Sequence, residues 1–114
     1  MLNQITLVGR LVKNINLNKT ANGKKVANLT LAIPRSFKNM EGIYETDFVD
    51  CTLWDTVAVN TKEYCHKGDI IGVRGRVESY VFEQEDYNKN ELRVVAEKIT
   101  FLSSKPKEDV KVST

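Results

Sequence analysis

No stretch of this 114-residue chain approaches the ~20 consecutive apolar residues that a membrane-spanning helix needs. The opening residues, Met1 to Arg10, have neither a charged leading segment nor a sustained apolar centre. A secretory signal is therefore not expected, and a cytoplasmic setting is. Cysteine is scarce. Cys51 and Cys65 are too few for a disulfide framework and fit no zinc spacing. The single histidine, His66, adjoins Cys65, but neighbours in sequence seldom form a catalytic pair. Glycine-rich nucleotide loops, Walker-type loops and nucleophile-elbow serines are all missing. Carboxylates are plentiful, yet none pair at a recognisable metal or glycosidase spacing. No catalytic residue, metal or cofactor is assigned, and an enzyme is not expected.

Acid is also missing where it would be most ordinary. The first 40 residues carry Arg10, Lys13, Lys19, Lys24, Lys25, Arg35 and Lys38, and no Asp or Glu. All fifteen acids and the other ten basic residues follow, so a formal net charge of +2 hides a basic N-terminal third and an acidic remainder. That asymmetry admits either an anionic partner or a solvated face on a charge-rich protein.

What is present is period-two alternation along one domain-sized chain, the pattern of half-buried strands. In residues 3–12, Ile5, Leu7, Gly9 and Leu11 share a face. A polar stretch, 16–25, contains the turn signal Asn22-Gly23. In 26–33, Ala27, Leu29, Leu31 and Ile33 point one way, and Pro34 either ends that strand or marks it as an edge. Around Gly42 the chain reads as a loop. In 46–54, Val49, Cys51 and Leu53 make the apolar face, while Phe48, Asp50, Thr52 and Trp54 take the other.

Residues 55–66 change period. Val57, Ala58, Thr61, Tyr64 and Cys65 fit one face of a short helix, capped by Asp55 or Thr56 and stopped by Lys67-Gly68, with Tyr64 expected in the core. In 69–77, Ile71, Val73, Gly75 and Val77 face in, and Arg74 and Arg76 face out. Unbroken pairing to residue 84 gives Tyr80 and Phe82 the parity of those arginines. Residues 83–90 read as a polar hairpin loop. The last run, 91–102, has mixed parity, which implies a bulge or burial on both faces. Strand, strand, strand, helix, strand, strand is the order of an all-β, five-stranded OB-fold barrel with a short helix between strands 3 and 4. Residues 1–103 are read as that domain and 104–114 as a disordered tail.

A protein that holds single-stranded nucleic acid without reading sequence needs cations along the backbone and flat side chains for unstacked bases. Phe48, Trp54 and Phe82 are aromatics at positions that alternation assigns to a polar face, and Phe37 sits beside Lys38 at a loop entry. Arg10, Arg35, Lys38, Arg74 and Arg76 are the candidate phosphate contacts. Tyr44, Tyr80 and Tyr87 are left open. An OB-fold adaptor that binds protein through the same aromatics, and an RNA-binding OB-fold, are the alternatives from other functional classes.

Met1–Leu11, then Asn22-Gly23 with Val26–Ala32, Asp47–Trp54, Glu63–Gly68 and Gly75–Val77, together resemble the bacterial single-stranded DNA-binding protein family. The resemblance covers about residues 1–103. It implies a homotetramer of OB-folds binding single-stranded DNA in replication, recombination and repair, with stacking aromatics at Phe37, Phe48, Trp54 and Phe82. It also implies that the first strand pairs with its copy near Asn3–Gly9. Many members end in an acidic tail with a hydrophobic tip that docks partner enzymes. Lys111-Val112-Ser113-Thr114 has neither feature, so recruitment by that route is not expected. Either a short paralogue, of the kind found in competence systems or mobile elements, or a chain cut before its tail fits that ending. Asp50 and Asp55 flank the Phe48–Trp54 platform, where related members often carry neutral or basic residues; acids there repel phosphate.

Overall fold

The computed structural model describes residues 1–104. The expected tail lies, apart from Ser104, outside those residues. Six strands and one helix follow in the order β1 (Ile5–Leu11), β2 (Asn16–Lys19), β3 (Lys25–Lys38), β4 (Tyr44–Trp54), α1 (Asp55–Tyr64), β5 (Ile70–Glu83) and β6 (Asn88–Ser103). The sheet runs β1-β5-β6-β4-β3-β2, and a β1–β3 pairing closes it. All neighbours are antiparallel except β4 and β6, which run parallel through Cys51↔Val94 and Thr52↔Val95.

The sixth strand was not expected. Its sequence, Asn16 to Lys19, is polar apart from Leu17 and carries no alternation that would announce it. It forms because the Asn22-Gly23 turn folds it back onto β3, with Gly23 at φ 83° and its N–H donating to the Thr20 carbonyl. β1 meets β3 at Arg10↔Ala32 and Leu11↔Leu31, and β2 meets it again from Asn16↔Asn28. The two are successive pieces of one interrupted side, so the barrel has five sides, as an OB-fold does.

Burial follows the alternation read from the sequence. Leu11, Leu29, Leu31, Cys51, Leu53, Ile71 and Val73 are all fully buried inside the barrel. Gly75 shares that inward face for a steric reason. A Cβ there would lie 2.0 Å from the Val95 carbonyl oxygen, where β5 presses against β6. Gly9 plays the same part at the closing seam, 2.8 Å from Ile33 and 2.9 Å from the Ala32 carbonyl oxygen as a Cβ would stand.

Strand β3 runs through Pro34 to Lys38. Beyond Ala32 it pairs only with β4, so Pro34 lies on an edge strand segment, where proline is tolerated. The mixed parity of the last run has its cause in β6. Arg74 pairs with Lys98 and Gly75 with Ala96, leaving Glu97 as the extra residue of a bulge. The residues expected to form a long 83–90 loop instead extend the pairing to Glu83↔Asn88, so β5 and β6 project as a two-stranded ribbon turned by residues 84–87.

Two helix expectations are corrected. The N-cap is Trp54, with no side-chain hydrogen bond, rather than Asp55 or Thr56. The chain swings from β4 into α1 through Asp55 at φ 50°, a left-handed conformation that Asp tolerates better than most residues. Tyr64 is exposed, not core. Short side chains, Ala58 and Thr61, close the barrel end, and Tyr64 in the last turn lies on a shallow groove beside Phe101.

Candidate nucleic-acid interface

Strand β4 builds the floor. Its outward residues, Phe48, Asp50, Thr52 and Trp54, lie opposite Ala32, Thr30, Asn28 and Val26 of β3. Phe48 is 67% exposed, and Trp54 is half-buried. The polar pairs between them satisfy one another: the Thr30 hydroxyl donates to Asp50 Oδ1 at 2.5 Å and the Thr52 hydroxyl to Asn28 Oδ1 at 3.2 Å. This face is kept polar by cross-strand hydrogen bonds, with Phe48 left open to solvent and Trp54 partly covered.

The β5–β6 ribbon supplies the wall. A cavity of about 610 Å³ lies between them, lined by Trp54, Lys24, Arg76, Glu78 and Arg93 among others. A second, of about 510 Å³, is lined by Lys13, Asp50, Thr52, Tyr80 and Arg93. A third, of about 330 Å³, takes in Phe48, Asp50, Leu92 and Arg93. Arg93 borders all three, and they follow one another along the outer face of β4, from Trp54 past Thr52 and Asp50 to Phe48, as a groove. Its guanidinium stands 5.1 Å from the centre of the Tyr80 ring, a cation–π distance.

The structure brings together Phe48, Trp54 and Arg76 of the expected set. Phe82 stands farther out on the same face of β5, half exposed and paired with Lys89. Phe37 and Lys38 lie at the far end of the β3–β4 hairpin, with Phe37 exposed and the Lys38 ammonium 5.6 Å above the Tyr44 ring. Arg10 and Arg74 stand apart from the groove. Each sits on the β1–β5 side of the barrel, Arg74 opposite Thr6, and the Arg10 guanidinium donates to the Gly68 carbonyl at 2.6 Å.

Charge partners separate these cations further. Arg35 is held by Glu45 at 2.7 Å and Asp47 at 2.9 Å. The hydrogen bond from Arg35 pulls the Asp47 carboxyl below its ordinary range and raises the guanidinium above its own. Arg76 is held by Glu78 at 2.7 Å and Glu97 at 3.1 Å, and Arg93 by Glu78 at 3.1 Å. Hydrogen bonds from Arg76 and then Arg93 keep the Glu78 carboxyl low. Lys13 and Lys24 line the groove with no carboxylate within ion-pair distance among the described residues.

Four groove residues escaped the sequence reading: Lys13, Lys24, Tyr80 and Arg93. Tyr80 was within reach, because it shares the parity of Arg76 and Phe82. Arg93 was hidden by the bulge at Glu97, which scrambles the parity of β6. The two lysines lie in connecting segments, where no period assigns a direction. Among the described residues, no group of three or more His, Cys, Asp or Glu side chains is placed to hold a metal ion.

A sequence profile of the Single-strand binding protein family matches residues 2–102. The chain is 46% identical over 109 residues to Single-stranded DNA-binding protein B of Bacillus subtilis (strain 168), covering 95% of this chain and 96% of that protein. It is 41% identical over 106 residues to the Single-stranded DNA-binding protein of Oceanobacillus iheyensis, covering 92% of this chain but only 66% of that longer protein. A solved Plasmodium falciparum chain, described as an SSB complex with ssDNA, superposes with a TM-score of 0.76 at 21% identity, covering 90% of this chain and 96% of that one, a likeness of fold. The closed barrel with its helix between β4 and β5, the profile match across almost all described residues and a relative matched over nearly its whole length together place this chain in the Single-strand binding protein family.

Proposed function

We propose that this protein binds single-stranded DNA without reading its sequence, by stacking bases and holding phosphates. The observation that carries the reading is the exposed Phe48 and the half-buried Trp54 on an otherwise polar strand face, along a groove bordered by Lys13, Lys24, Arg76 and Arg93. Apolar rings are held open to water at a cost unless a partner covers them. Every base offers a π-face, and stacking contributes roughly 1–3 kcal/mol per base whatever the sequence. The relatives named for single-stranded DNA binding support the same reading.

Within it, Phe48, Trp54 and Phe82 stack bases along the groove and ribbon, and Phe37 extends the path onto the β3–β4 hairpin. Arg76 contacts phosphate inside the groove, while Arg10, Arg35, Lys38 and Arg74 serve a strand that continues beyond it. The work is binding, with no catalytic step, and residues 1–103 form the binding domain. Protection of exposed strands during replication, recombination and repair in the cytoplasm, at the nucleoid, follows from that activity. The assembly is a homotetramer. The edge of β1 from Ile5 to Gly9, which pairs only with β5, supports docking of a second copy there.

The test is direct. Trp54 fluorescence should quench on adding poly(dT). Trp54→Ala and Phe82→Ala should each weaken binding about tenfold without unfolding, corresponding to roughly 1–3 kcal/mol per stacked base. Unchanged affinity in the double variant would overturn the stacking mechanism, and preference for RNA of the same sequence would overturn the choice of DNA.

A further inference from the structure

The carboxylate of Glu78 is placed where a ligand phosphate would be expected. Its two oxygens are shared between two guanidiniums: Oε2 accepts from Arg76 Nη2 at 2.7 Å, and Oε1 accepts from Arg93 Nη2 at 3.1 Å and Nε at 3.2 Å. This is the geometry by which arginine holds either a carboxylate or a phosphate. The three side chains line the same cavity as Trp54 and Lys24. All three are partly open to solvent, with about a third of each side chain or more exposed. Glu97 takes a further hydrogen bond from Arg76. Two guanidiniums thus face two carboxylates, and this part of the groove carries no formal net charge beside its main stacking platform.

We infer that Glu78 acts as an internal competitor for the backbone phosphate next to Trp54, so that a bound strand must displace its carboxylate from Arg76 and Arg93. The inference rests on the single-stranded DNA reading and adds to it a residue that sets affinity and salt dependence. Solvent-open ion pairs are individually weak, so exchange of one anion for another is within reach of a bound strand. The displaced carboxylate remains nearby and repels the phosphate that replaces it. Glu78 therefore lowers affinity while it keeps both guanidiniums in position in the free protein. The low ionisation range of its carboxyl, held there by hydrogen bonds from Arg76 and Arg93, agrees with a group that stays charged while the groove is empty.

Glu78→Gln keeps a side-chain oxygen for the arginines and removes the charge. Titration of labelled oligo(dT) against the full chain, over a range of salt, should show about fivefold tighter binding at low salt. The slope of log K against log salt should steepen by about 0.7 for each phosphate gained. Glu63→Gln removes the same charge from the exposed face of α1, outside the groove, and should change neither. Equal or weaker binding by Glu78→Gln, or an equal gain in Glu63→Gln, overturns the inference. A second reading needs no variant: on adding oligo(dT), the pH titration of the Glu78 side-chain carboxyl, followed by carbon NMR, should move up as the arginines leave it. An unmoved titration in a saturated complex counts against displacement. A wild-type protein that fails to bind oligo(dT) at all defeats the proposed function. Binding with an unresponsive Glu78 defeats only this inference.

Discussion

Phe48 stands two-thirds exposed between Asp47 and Val49, while Cys51, three residues on, has no exposure at all. The two residues lie on opposite parities of one strand, and their environments set opposite chemistries. Phe48 is available to a ligand. The Cys51 thiol is pushed up to about 11, first by burial and then by the nearby charge of Asp50. Burial, and then Asp69, also pushes the Cys65 thiol up. The thiolate is the reactive form, so neither sulfur is primed for redox or nucleophilic work. Both should resist an aromatic disulfide reagent at pH 8 in the folded protein and react promptly after unfolding in guanidinium. Rapid labelling of native Cys51 would show that the inward face of β4 is not buried. At this scale the sequence was informative wherever alternation held: the inward sets of β1, β3, β4 and β5 are the ones period two selects. It misassigned Tyr64, because helical spacing gives an arc of positions and cannot say how far the barrel end extends beneath it.

At the scale of elements, the groove is made by two deviations from regular sheet. The Glu97 bulge bends β6, and the β5–β6 ribbon runs on past the barrel to stand beside the outer face of β4. Gly75 permits the first of these, since it lets β5 meet Val95 and Ala96 without a side chain between. Gly75→Ala should therefore destabilise the fold by about 2–3 kcal/mol, the upper range for forcing atoms into a packed interior. Gly72→Ala, three residues earlier on the same strand, is the contrast. Its added Cβ would meet nothing closer than 3.9 Å, so its effect should stay within about 1 kcal/mol. Urea unfolding of the two variants measures the difference, and equal midpoints would remove the steric account of this seam. None of this was legible from residues 91–102 alone, where a bulge and two-sided burial give the same mixed pattern. Strand β2 was equally hidden, since a polar strand needs its partner to define it.

For the whole molecule, the charge asymmetry resolves into two populations. In the N-terminal third, Arg35 is neutralised by Glu45 and Asp47, whereas Lys13 and Lys24 border the groove. In the remainder, Arg76 and Arg93 are held by Glu78 and Glu97. The small net charge of +2 is thus consistent with a groove lined by cations whose strongest members are already engaged. The free edge of β1 bears on assembly. Light scattering should give four chains per particle, and Val8→Glu, on the exposed face of that strand, should lower the number. A monomer in both proteins would overturn the tetramer and leave the groove's own binding to be judged separately.

By itself the sequence determined the succession of the five long strands along the chain, the inward residues of β1, β3, β4 and β5, the helix between the third and fourth long strands and the outward aromatics of β4. All of these follow from local periodicity, because a strand's two faces are fixed by its own alternation. Tertiary structure decided which outward residues meet. Arg74 and Arg76 share a parity, yet one lies against β1 and the other beside Trp54, because β5 pairs with β1 only as far as Gly75 and runs on beyond it with β6 alone. It also decided which cations remain available, since an ion pair such as Glu78 with Arg93 depends on the distance between strands that no single segment encodes.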